Sequence, residues 1–206
     1  MNNILSETEL AELICTRISH DVIGNVGAVA NAVELLEEGD MDFLDDIRSI
    51  LKVSSSVLSA RLKFFRLAFG LTNANLDSCE GVRAATEAYL QTVGSKNHPL
   101  ALDFSLENSD FCRQAMIAVM IAADTMVKGG TIEVRDAGTK LAVVCTSPAP
   151  LSAEKISNIK AIISGERPEN AAQYAPVFYL ASLLAQKEQV LKIIDEPAFG
   201  LVIEQR

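Results

Sequence analysis

The sequence predicts an α-helical hairpin followed by an α+β sandwich of helices on one sheet. Three observations carry that class. Residues 6–38 and 41–69 are two proline-free runs with helical periodicity, parted by the short break "EEGD". Downstream the texture changes to strand-like and helix-like stretches in alternation. Two of these, "GGTIEVRDAGTKLAVVCTS" and "QVLKIIDEPAFGLVIEQ", read as β-hairpins, the first turning at "DAGT". The expected division is residues 1–75 for the hairpin and 76–206 for the sandwich.

The elements follow in order. The hairpin tip places Gly39 to end the first helix and Asp40 to cap the second. Acids crowd it (Glu34, Glu37, Glu38, Asp40, Asp42, Asp45 and Asp46), which reads as a solvated turn with helix-dipole support for the second helix. Then "SCEGVRAATEAYLQTV" reads as a helix, "PLALDFSL" as a strand and "DFCRQAMIAVMIAADTMV" as a buried helix. A helix from Ser152 to about Ser164, the loop "GERPEN" and a helix from about Ala172 to Lys187 lie between the two β-hairpins.

Bulk properties exclude several classes. No stretch reaches the roughly 18 consecutive apolar residues of a membrane span, and "MNNILSETELAEL" carries acids where a secretory signal has a basic region. A cytoplasmic protein that meets no membrane is expected. The net charge of −9 argues against a nucleic-acid footprint. Cys15, Cys79, Cys112 and Cys145 are scattered, which suits reduced, mostly buried thiols. With two histidines and no acid cluster at ligand spacing, no resident metal is expected.

On a helical wheel Cys15, Ile18, Val22, Val26, Val29, Val33 and Leu36 fall within about 40° of one direction. From Val22 onward they alternate in the manner of a bundle seam. The second helix carries a comparable stripe: Leu44, Ile47, Leu51, Ser54, Leu58, Leu62, Phe65 and Phe69. Two helices of about 45 Å each cannot hide both stripes by pairing with each other alone. A second copy can, which predicts a homodimeric four-helix bundle.

His20 lies about 160° from the seam, and so faces outward. Leu13, Arg17, Gly24, Gly27 and Asn31 share that face, giving an exposed apolar contact, a charge and a strip without side chains. Glycine inside a helix costs roughly 1 kcal/mol relative to alanine, so two on the solvent side suggest a ledge for a docking partner. An imidazole is largely neutral and nucleophilic near pH 7, and the adjacent Asp21 can take up one ring N–H and leave the other nitrogen to attack phosphorus.

"ISHDVIGNVGAVANAVELL", with "LKFFRLAFG" at the end of the second helix, resembles the ChpT-type bacterial histidine phosphotransferases. The resemblance implies a dimeric four-helix bundle bearing a phosphohistidine, followed by a degenerate histidine-kinase ATPase domain. It implies that His20 takes a phosphoryl group from the receiver-domain aspartate of a hybrid histidine kinase and passes it to response-regulator receiver domains, in relays that commonly serve cell-cycle control. Asp21 would orient the ring or act as base, and magnesium would belong to the partner receiver. Against the kinase pattern, Ala122 occupies the usual asparagine position, Thr146 replaces the adenine-reading aspartate, and Pro148 and Pro150 replace loop glycines. Proline has no N–H to donate, so no bound nucleotide cofactor is expected. Gly24 and Asn25 also depart from the usual kinase H-box, which leaves simple transfer intact. The alternatives are a non-catalytic dimeric scaffold for receiver domains and an ATP-dependent histidine kinase.

Overall fold

Ser6 starts the first helix with a reciprocal cap. Its hydroxyl accepts from the Glu9 N–H at 3.2 Å, and the Glu9 carboxylate accepts from the Ser6 N–H at 2.9 Å. The computed structural model describes residues 5–38, 43–70, 78–195 and 198–205. Within them α1 spans Glu7–Glu37 and α2 spans Leu44–Phe69. Asp45 and Asp46 occupy the first turn of α2, where carboxylates favour the positive end of the helix dipole. The capping roles expected of Gly39 and Asp40 fall outside the described residues, as does the expected boundary at 75/76.

Ser78 caps α3 (Cys79–Val93), which leads to β1 (Leu100–Ser105). A 3-10 turn at Ser109–Phe111 opens α4 (Cys112–Thr125), followed by the hairpin of β2 (Gly130–Ala137) and β3 (Lys140–Thr146). Ser152 caps α5 (Ala153–Ser164), and Gly165 ends it at φ 104°, a left-handed conformation that suits glycine. The last helix was expected from about Ala172. Its first turn is 3-10, Ala171–Tyr174, and α6 proper is Ala175–Gln186, with Pro176 in the opening turn where its missing N–H is harmless. Strands β4 (Gln189–Ile194) and β5 (Gly200–Gln205) form the closing hairpin.

The sheet order is β1-β2-β3-β5-β4, with β1 and β2 parallel and the other pairs antiparallel. The parallel pair requires a crossover, and α4 supplies it. Ile132, Val134, Leu141, Val143, Leu201 and Ile203 alternate inward from β2, β3 and β5 onto α4. Every residue of α4 is buried except Arg113 and Asp124. Burial pushes the Cys145 thiol up to about 12, so it is an inert core group. Cys112 is likewise buried, whereas Cys15, expected on the seam, is exposed; the four cysteines are thiols and form no disulfide.

The hairpin joins this core along its lower half. Phe64 of α2 stacks on Tyr89 of α3 with ring centroids 4.0 Å apart, and Phe65 meets Tyr89 edge-on. From α2, Arg61 donates to the Thr92 hydroxyl and carbonyl at the end of α3, and to the backbone carbonyl of Asp21 in α1. In the upper half Ala32, Ile47 and Ser54 are buried between the two helices, but Val26, Val33, Leu36, Phe43, Ile50 and Val53 remain exposed. One hairpin alone leaves these apolar side chains in water.

Candidate functional site

The wheel places His20 outward, and its side chain is 86 % exposed. Its Nδ1 lies 3.6 Å from Asp21 Oδ1. Asp21 itself turns away from water, with a side chain 17 % exposed, because Arg17, one turn earlier, donates from Nε to its Oδ2 at 2.9 Å. A helix brings residues four apart onto one face, so this pairing follows from local geometry.

Two residues expected on the open ledge lie elsewhere. Arg17 is only 13 % exposed: beyond Asp21 it donates to both oxygens of Asp124 on α4, at 2.9 and 3.0 Å, and to the Gln173 carbonyl at 2.6 Å. Leu13 is half-buried against the common core, together with Leu10, Ile18 and Val22. The cause is the same for both. The C-terminal half of the chain packs on the first turns of α1, so the face that points to solvent near Gly24 points inward at Leu13 and Arg17. A wheel treats a helix as having one inside along its whole length, and this helix has two. Arg167, donating to Glu9 at 3.1 Å, fastens the same end from the loop before α6.

Gly24, Gly27 and Asn31 are exposed. A Cβ built on either glycine meets nothing within 4 Å. Nothing in the chain itself therefore requires a glycine at these positions. Gly24→Ala and Gly27→Ala are each expected to stabilise the protein by about 0.5–1 kcal/mol through helix propensity, read from urea unfolding midpoints.

Between α1 and the C-terminal half lies a cleft of about 400 Å³. Thr16, Arg17, His20 and Asp21 form its α1 side, Ile121, Asp124 and Ile159 its floor, and Lys155, Tyr174 and Pro176 its far wall. Lys155 Nζ donates to the Asp124 backbone carbonyl at 2.6 Å. Burial works against the charge of the Arg17 guanidinium, but the carboxylates of Asp124 and Asp21 outweigh it and raise its pKa above the ordinary value. Arg17 is a permanent cation held between two anions.

Sequence reasoning missed Asp124 and Lys155. The signal for Asp124 lies in "AMIAVMIAAD", where one acid ends a run of nine apolar residues; a charge on a buried helix needs a partner. Ala122 is fully buried, and Thr146 is exposed at the end of β3, just before Pro148 and Pro150. Among the described residues no group of three or more His, Cys, Asp or Glu side chains could hold a metal ion, and no helix is long and apolar enough to cross a membrane.

The chain thus joins a helical N-terminal region bearing an outward histidine to a helix-covered mixed sheet. The family model for the histidine phosphotransferase C-terminal domain matches residues 79–193, more than half of the chain, and the chain belongs to that family. Among curated proteins it is similar to the protein phosphotransferase ChpT of Brucella abortus (strain 2308), with 42 % identity over 88 residues. That match spans 41 % of this chain and 41 % of the relative. Among solved structures a bacterial phosphotransferase has the same fold, with a TM-score of 0.74 and 23 % identity, covering 97 % of this chain and 98 % of that one. The family match begins after His20.

Proposed function

We propose that this chain is a cytoplasmic phosphorelay shuttle in which His20 accepts a phosphoryl group from a receiver-domain aspartate and returns it to another. The observation that carries the reading is an exposed imidazole beside a clamped carboxylate, at the head of a strip without side chains. In the forward step the Nε2 lone pair attacks phosphorus, the P–O bond to the donor aspartate breaks, and that aspartate leaves as a carboxylate. The ring keeps its proton on Nδ1 and becomes a phosphoimidazolium, whose positive charge Asp21 stabilises. The reverse step hands the group to a response-regulator aspartate. Positioning supplies most of the catalysis in phosphoryl transfer, and magnesium would sit on the receiver. The chain itself would need no cofactor.

Donor and acceptor would be the receiver of a hybrid histidine kinase and the receivers of response regulators, both docking along Gly24, Gly27 and Asn31 and over the cleft. Residues 1–75 would form the dimerisation and phosphotransfer part, and 76–206 the degenerate kinase-ATPase-like part. The apolar side chains exposed on the upper hairpin fit a second copy, closing a four-helix bundle. Sedimentation is then expected to give twice the mass of the chain.

Transfer is tested by mixing the protein with a receiver domain carrying labelled phosphoaspartate. Label is expected to move to this chain in an acid-labile, base-stable bond on the peptide that contains His20. Label that stays on the receiver, or that arrives elsewhere, refutes the reading; stable receiver binding without transfer would leave the scaffold in its place.

A further inference from the structure

We infer that Asp124, on the C-terminal half of the chain, is a positioning residue for His20, acting through Arg17 and Asp21. This deepens the relay reading and rests on it for its catalytic part. The geometry is one line: charge-assisted hydrogen bonds join Asp124 to Arg17 and Arg17 to Asp21, and a longer contact of 3.6 Å leads from Asp21 to His20. Both oxygens of Asp124 take the guanidinium fork of Arg17 at 2.9 and 3.0 Å, the bidentate pairing that fixes the guanidinium plane as well as its place. With that plane fixed, Nε points at Asp21 Oδ2, at 2.9 Å. Asp21 then has Oδ1 left, and that oxygen is the one 3.6 Å from His20 Nδ1. The backbone of Asp21 is tied as well, through its carbonyl to Arg61.

The arrangement gives the degenerate domain a task. Asp124 is the one acid on α4 and sits two residues after Ala122, where the kinase pattern has its asparagine. The helix that would hold metal and nucleotide in a kinase here holds an arginine of another element. By keeping Asp21 aimed at Nδ1, the chain of contacts favours the imidazole tautomer with its proton on Nδ1 and its lone pair on Nε2, ready for phosphorus. Lys155, bound to the Asp124 carbonyl, lines the same cleft and fixes the backbone at the far end of the line.

The test reads the tautomer directly, with no partner present. In protein carrying 15N-labelled histidine, the His20 resonances are expected to report mainly the Nδ1–H form in the wild type. Asp124→Asn and Arg17→Lys are each expected to move them toward the Nε2–H form usual for a free histidine, because an amide or an ammonium cannot keep the two-oxygen fork. Asp124→Glu is expected to restore part of the wild-type ratio. In transfer assays Asp124→Asn should lower kcat about tenfold, part of what a general base contributes, with KM nearly unchanged. An unshifted tautomer ratio in a folded Asp124→Asn or Arg17→Lys protein overturns the inference, whatever happens to stability. A shifted ratio in a protein that takes no phosphate upholds the positioning line and refutes the relay reading alone.

Discussion

Replacement of His20 by glutamine is expected to abolish phosphoryl transfer, a loss on the order of 10⁶ if it matches removal of other enzymatic nucleophiles, and to leave the fold intact. The side chain is 86 % exposed and lies 3.6 Å from Asp21, so the substitution should change stability by less than about 0.5 kcal/mol. Glutamine is also at least as good a helix former as histidine. It has no ring nitrogen with a free lone pair, so no phosphoimidazolium can form. His98 is the internal control. It lies in the bend between α3 and β1, its backbone exchanging hydrogen bonds with Ser95 at 3.1 Å, far along the chain from α1. His98→Gln is expected to transfer at the wild-type rate. Transfer that survives in His20→Gln and vanishes in His98→Gln would move the site out of the hairpin.

The second large effect is structural. Phe64→Ala is expected to destabilise the protein by about 3–5 kcal/mol, the range for truncating a buried aromatic, measured by urea unfolding. Phe64 is fully buried and Tyr89 2 % exposed, with the rings nearly parallel at 4.0 Å. Burial also raises the Tyr89 hydroxyl above its ordinary pKa. Offset ring pairs contribute about 0.5–1.5 kcal/mol beyond their buried area, so Phe64→Leu should recover much of the loss but not all of it. Because this stack joins α2 to α3, the variant should also loosen the hairpin from the sheet and weaken the Arg61 contacts beside it. A Phe64→Ala protein as stable as the wild type would mean that the hairpin and the sandwich do not fold as one unit.

Much of the fold was legible because its signals are local. The turn at "DAGT" and the helical periods each specify an element from neighbouring residues. The outward pose of His20 was legible for the same reason, since one wheel fixes it against Val22 and Val29. The parallel pairing of β1 with β2 was not, because register between strands separated by a buried helix leaves no trace in either strand. Arg17 and Leu13 failed in an instructive way: their angular position was right and its meaning was wrong. What buries them comes from residues more than a hundred positions later, Asp124 and Gln173 among them. Periodicity reports that a helix has faces; it does not report what covers each one.

Residues of α4, α5 and α6 line the cleft beside His20, whose imidazole stays open to solvent. One ring nitrogen can hold one phosphoryl group at a time. Under the relay reading, giver and taker therefore queue for one berth, and a surplus of either idles the other. Traffic through the chain would be governed by how quickly each guest departs.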